Sequence, residues 1–183
     1  MKRLSVFAAL IICVMAISGC KKNDDARFFD YQNGKIEMDC VLSYNGHENE
    51  VKISASEKSE KGEREYVSVK YETPEIIGGY VLEKSGGQYV GKMGEVEIPF
   101  GETVVGAVKY VETAFDLSED MISQITSSEN GMTEATVLSE EVSGKVIIDK
   151  KGHLSHLELR FADGKTLGIS KKSASAKDTE AET

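Results

Sequence analysis

Three histidines and three cysteines are the side chains of this 183-residue sequence best suited to nucleophilic, acid-base or metal chemistry. His153-Leu154-Ser155-His156 sets two imidazoles at i and i+3. On a strand these point to opposite faces and cannot chelate one ion without a turn between them. His156, Glu158 and Arg160 do share a face, opposite Leu157 and Leu159. A solvated surface of mixed charge is the simplest reading of that trio. His47 follows Asn45-Gly46 directly and is expected in solvent. No Gly-x-Ser-x-Gly elbow is present, so nothing in the sequence sets up a strained nucleophilic serine. The carboxylate pairs Glu119-Asp120 and Glu140-Glu141 read as a helix start and an exposed loop. Gly86-Gly87, with nearby Gly91 and Gly94, lies in an alternating β pattern with no helix N-terminus to receive a phosphate, so it is turn chemistry and not a nucleotide loop. The expectation is a protein without catalytic residues, metal ligands or cofactor.

The cysteines point elsewhere. Met1 to Cys20 reads MKRLSVFAALIICVMAISGC, with Lys2 and Arg3 ahead of an uncharged apolar stretch from Leu4 to Ile17. That stretch is shorter than the ~20 residues of a comfortable membrane span, and small residues follow it, as in a secretory signal. Ile17-Ser18-Gly19-Cys20 resembles the lipobox of bacterial lipoproteins. The resemblance implies cleavage between Gly19 and Cys20, and a Cys20 that carries diacylglycerol with palmitate-type chains. It also implies residence on the extracytoplasmic side of the cell membrane. Two acyl chains at ~0.8 kcal/mol per buried CH₂ anchor stably where one binds only marginally. Cys13 leaves with the signal, so Cys40 remains alone and has no disulfide partner. It falls on the apolar side of an alternating segment and is expected to be a small buried hydrophobe.

Charge narrows the partners. The formal net charge is −9, and removal of residues 1 to 19 takes away two more positive charges, leaving −11. No run of five or six Lys or Arg is present, so nucleic acid is excluded as a partner. With 40% hydrophobic and 29% charged residues the chain is a globular protein of one domain. Residues 1-19 are expected to be the signal peptide, 20-27 the lipidated Cys and tether, 28-170 the domain, and 171-183 a disordered tail rich in Ser, Ala and charge.

Within the domain, Ile36, Met38, Cys40, Leu42 and Tyr44 share one parity. Val51, Ile53 and Ala55 repeat it after Asn45-Gly46, a pair suited to a two-residue type I′ turn. This predicts Cys40 opposite Val51, Met38 opposite Ile53, Ile36 opposite Ala55 and, behind, Asp39 opposite Lys52. Ser56 to Glu65 is a charged loop. Val67, Val69 and Tyr71 then alternate up to Pro74, and strands follow over 80-84, 88-93 and 95-100, with Val96, Ile98 and Phe100 on the inward parity. The register at Gly86-Gly87 stays open. Val104, Val108, Val111 and Phe115 stand at i, i+4, i+7 and i+11, a helical stripe, although the valines and Gly106 also fit a strand. A second short helix is expected after Ser118, with Ile122 and Ile125 facing inward. Strands return over 132-138, 145-149, 154-161 and 166-170. A three-residue loop Ala162-Asp163-Gly164 sets Leu159 against Leu167 and Leu157 against Ile169.

About nine strands and one helical interruption make an α+β domain, mainly antiparallel sheet. The order of a lipobox, a long first hairpin, the meander YETPEIIGGYVLEKSGGQYVGKMGEVEIPF, a helical insert and the closing VIIDKKGHLSHLELRFADGKTLGIS resembles the LolA/LppX-type half-barrel lipoproteins. These include small Firmicute lipoproteins and, more distantly, the germination lipoprotein GerS. The resemblance implies a sheet curved into an incomplete barrel around a short helical insert, with an apolar hollow that binds a lipid ligand or lipidated cargo. It also leaves a filled hollow open, in which case the domain is a non-catalytic binder of a cell-envelope protein. The absence of Trp and the short insert favour filling, since Val, Ile and Leu can occupy the space. No family residue carries over as a ligand contact.

Overall fold

A computed structural model describes residues 28-100, 106-128 and 130-172. The lipobox residues Gly19 and Cys20, the tether and Val104 lie outside the described residues. Eleven antiparallel strands form one open sheet: β1 (Ile36–Tyr44), β2 (His47–Ala55), β3 (Tyr66–Tyr71), β4 (Tyr80–Ser85), β5 (Gln88–Met93), β6 (Val96–Phe100), β7 (Ile122–Ser127), β8 (Thr133–Leu138), β9 (Val142–Ile148), β10 (Leu154–Phe161) and β11 (Thr166–Lys171). Their spatial order is β6-β5-β4-β3-β2-β1-β11-β10-β9-β8-β7. Every neighbour is therefore a hairpin partner except β1 and β11, which join the two halves of the chain. Among the described residues two α-helices accompany the sheet, α1 (Asp30–Asn33) and α2 (Gly106–Ala114). This is the α+β incomplete barrel with a short helical insert that the sequence implies.

The first hairpin has the expected register: Ile36 opposite Ala55, Met38 opposite Ile53, Cys40 opposite Val51 and Asp39 opposite Lys52. Asn45 and Gly46 both take positive φ, 51° and 81°, the pair of conformations that a type I′ turn requires. The last hairpin pairs Leu159 with Leu167 and Leu157 with Ile169, so its loop has three residues. At Gly86-Gly87 the open question resolves to a two-residue turn, with Ser85 opposite Gln88.

Three expectations need correction. The helix expected after Ser118 is a single 3-10 turn, Glu119–Met121, and Ile122 and Ile125 belong to the edge strand β7. A bulge between Ile122 and Gln124 sets Ile122 against Val137 and Ile125 against Ala135. Two isoleucines three apart thus fall on one face of a strand, which imitates helical spacing. Val96 and Ile98 have the inward parity, yet 61% and 49% of their surface stays exposed. The ordered strand also runs through Lys171, opposite Cys40, and Lys172 donates its N–H to the Asp39 carbonyl at 3.1 Å. The boundary at Ser170 therefore falls two residues short.

The core lies between the sheet's inner face and α2, which touches β3, β4 and β11. Leu42, Ile53, Val67, Val69, Leu157 and Ile169 of the sheet are fully buried, as are Phe28, Val111 and Phe115. Both flanks of the helix are pinned. Glu112 pairs with Lys84 and accepts a hydrogen bond from the Tyr89 hydroxyl at 3.1 Å. Tyr110 donates to Asp163 at 2.6 Å and lies edge-on to Phe161 with ring centroids 4.6 Å apart. The Tyr110 hydroxyl holds the Asp163 carboxyl below the usual carboxylate range. Every buried described hydrophobic residue falls between Phe28 and Ile169. A chain that begins at Lys21 thus carries the whole described core and is expected to fold on its own.

Candidate functional site

The residues singled out for chemistry do not converge. His47 is exposed at the start of β2. His153 sits in the β9–β10 turn, 3.7 Å from Asp149. His156 lies on the outer face of β10, where its Nδ1 is 2.8 Å from Ser170 Oγ and its Nε2 3.3 Å from a Glu158 carboxylate oxygen. Ser, His and Glu in line have the composition of a hydrolytic triad but not its setting. Glu158 is 72% exposed, and the strands carrying all three pair on both sides, so neighbouring amides are used in the ladder and none is aimed at a developing oxyanion. Among the described residues, no group of three or more His, Cys, Asp or Glu side chains is placed to hold a metal ion. Glu140 and Glu141 are exposed, as the sequence suggests, and Glu119 and Asp120 are exposed in the 3-10 turn. Cys40 is fully buried and has no disulfide. Burial, helped by nearby Asp39, pushes its thiol up to about 12, so thiolate chemistry is suppressed at neutral pH.

The cavity that the fold does build comes from a mismatch in strand length. β11 makes its last pair at Lys171 with Cys40, whereas β1 begins four residues earlier, at Ile36. Among the described residues no strand occupies the slot between that part of β1 and the start of β10 at Leu154. The ladder alternates, so the Glu37 amide and carbonyl point away from β2 into the slot. The opening leads into the hollow and forms a groove of about 1060 Å³, at the upper end of the ~300–1,000 Å³ common for small-molecule sites.

The groove has two chemically different walls. Ile36 and Met38 share the inner parity of β1, and with Tyr31, Phe115 and Leu154 they give an apolar inner wall. Tyr31 is fixed there by donating to the Ala114 carbonyl at 3.2 Å and by edge contact with Phe115 at 6.3 Å. Burial pushes its phenol far above the ordinary tyrosine value, so it stays a neutral donor. Glu37, Asp39, Lys52, Glu72 and Lys172 make the outer wall. Lys172 Nζ is 2.8 Å from Glu50 and 3.8 Å from Glu72, and Lys35 is 2.9 Å from Glu37.

A second apolar surface lies on the β4–β6 wing. Tyr71, Tyr80, Met93 and Val96 stand side by side across the inner face, the two tyrosine rings 6.1 Å apart. Ile98 adjoins them opposite Gly91. Met93, Val96 and Ile98 are exposed.

These features define an open half-barrel with a groove at one end that has an apolar inner wall and a charged outer one. The chain is similar to a LolA superfamily protein from Nitrosomonas europaea. That solved structure is 10% identical, with a TM-score of 0.39 over 81% of this chain and 89% of the other. No protein-family model matches the chain, and no curated protein does. Arg64 and the β1–β10 slot are the structural features that sequence reasoning missed. Arg64 was hidden in a charged run, and the slot depends on where a strand stops.

Proposed function

We propose that this protein is a membrane-anchored extracytoplasmic lipoprotein, tethered through diacylated Cys20, that binds an apolar ligand or acylated cargo in the groove between β1 and β10. The observation that carries the binding reading is the inner wall of Tyr31, Ile36, Met38, Phe115 and Leu154 around an open space of about 1060 Å³. Tyr31, Ile36, Phe115 and Leu154 back that wall from within the core, and Met38 is its half-buried member, whose exposed apolar surface gains about 25 cal/mol per Å² when an acyl chain covers it. Met38 is half-buried on that wall, so Met38→Asp sets a carboxylate where the ligand lies and leaves the sealed core intact. Residues 21 to 183 are expected to enhance the fluorescence of cis-parinaric acid in a saturable way, and Met38→Asp to weaken that binding by about tenfold or more. Equal binding by Met38→Asp, with Leu138→Asp as an exposed control, would overturn the groove assignment.

The anchor has its own test. Cys20→Ser in the full chain is expected to leave the precursor uncleaved and without label from radioactive palmitate. Labelled, processed protein from that variant would sink the lipoprotein reading.

The exposed strip of Met93, Val96 and Ile98 favours a second reading, in which the wing binds a cell-envelope protein without catalysis. Contiguous exposed apolar residues on a monomer mark contact surfaces.

A further inference from the structure

We infer that the ligand of this groove is an anionic amphiphile, an acyl chain ending in a carboxylate or phosphate, with Lys171 pairing to its head group. The inference rests on the groove reading above and adds the chemistry of the head.

The argument comes from how the ladder distributes charge over the groove. Lys171 is directly opposite Cys40, so it shares the inner parity of Ile36, Met38 and Leu42. The carboxylates of the lining, Glu37, Asp39 and Glu72, all have the outer parity. There they already meet cations: Glu37 has Lys35, Glu72 shares Lys172 with Glu50, and Asp39 is directly opposite Lys52. Among the described residues of the groove lining, Lys171 is the one charged strand residue of inner parity; its side chain is exposed and makes no ion pair within 4.0 Å. Asp149 is the carboxylate that feels it. Burial works against that carboxylate, yet the amides of His153 and Lys151, the His153 ring and Lys171 together hold it below the usual range. Asp149 is already committed to the turn, accepting from the Lys151 and His153 amides at 2.9 and 3.0 Å.

A chain with a net charge of −9 thus places a solvent-exposed ammonium without a direct ion pair at the mouth of the groove. A neutral lipid leaves that ammonium to water and gains nothing from it. A zwitterionic head brings a second cation to it. A single anionic head satisfies it and leaves the acyl chain on Met38, Ile36 and Leu154.

The test compares cis-parinaric acid with its methyl ester on residues 21 to 183 at neutral pH, by fluorescence titration. The acid is expected to bind about tenfold tighter than the ester at low salt, with the gap narrowing as ionic strength rises. Lys171→Gln is expected to bring the two within about twofold of each other while ester binding persists. Equal binding of acid and ester by the unaltered protein, or an unchanged preference in Lys171→Gln, overturns the head-group assignment and leaves the groove standing. Binding of neither probe overturns the groove reading and the head-group assignment together. Titration with inorganic phosphate distinguishes the source of the anion. Competition at millimolar phosphate would show that the head site acts without the chain and overturn the amphiphile assignment, whereas no competition is expected.

Discussion

Gly144→Ala is expected to lower the thermal midpoint by about 10 °C or more, the largest effect of a Cβ added at any of the described glycines. Gly144 lies inside β9, between Val137 of β8 and Leu159 of β10. Its φ is +148°, a conformation that side-chain-bearing residues rarely adopt. A Cβ there would stand 2.0 Å from the Glu158 carbonyl oxygen and 3.0 Å from both the Glu158 carbonyl carbon and the Leu159 Cα. Those neighbours are backbone of a strand hydrogen-bonded on both sides, so relief requires β9 and β10 to separate. Separation would open the contacts of Val137, Val146 and Leu159, which are all buried. Backbone strain of 1–3 kcal/mol plus lost packing gives a total of about 3 kcal/mol or more. Gly34→Ala is the control, since Gly34 has φ −80° and nothing within 4 Å of its added Cβ. It should melt within about 2 °C of the parent. Circular dichroism melts of the two variants decide the matter, and equal midpoints would show that the β9–β10 contact is softer than argued here.

What could be read from the sequence, and what could not, separates along the same physical line. The first hairpin was legible because two independent signals agreed: Asn45-Gly46 fixes the turn, and the parity of Met38, Cys40, Val51 and Ile53 fixes the face. A slip of one residue would have turned every one of these side chains outward. Helix α2 was legible from the spacing of Val108, Val111 and Phe115, even though valine and glycine are poor helix formers, because the hollow rewards one apolar stripe. β7 was misread because a bulge defeats parity. Parity also told which face Val96 and Ile98 occupy without telling what covers that face. The groove was out of reach for a related reason: Ile36 and Met38 have the expected inward parity, but the space beside them depends on the described part of β11 making its last register pair with β1 at Cys40. Pattern in one strand assigns a face; a cavity needs the relative lengths of strands far apart in sequence.

Arg64 makes the same point from the stability side. Ser56 to Glu65 reads as a solvated charged loop, yet the Arg64 side chain within it is buried, with 8% of its surface exposed. Its guanidinium donates to the carbonyls of Gln32, Gly34 and Ser56, the Gly34 bond being 3.1 Å, and Nε is buried without a partner. Burial lowers its pKa, and Asp116 and Tyr31 oppose that shift. Three carbonyls from two segments thus converge on one cation, which ties α1 and its flanking residues to the loop and holds Tyr31 between Phe28 and Phe115, edge-on to each. Arg64→Met keeps much of the volume and removes every donor. The loss of all three bonds, with the buried Gln32 carbonyl left unpaired and those of Gly34 and Ser56 partly so, is expected to cost about 3 kcal/mol in all, or roughly 10 °C of thermal midpoint. Lys58→Met, which removes a partner of the exposed Asp116, should cost about 1 kcal/mol or less. Hydrogen exchange locates the effect: in Arg64→Met the amides of residues 28 to 35 should exchange faster, while those of β9 and β10 keep their protection relative to global stability. Uniform loss across the sheet would mean that Arg64 supports the whole fold and not the α1 segment. Because Tyr31 belongs to the inner wall of the groove, the selective outcome carries a functional consequence, and Arg64→Met should also bind cis-parinaric acid more weakly at temperatures well below its melting point.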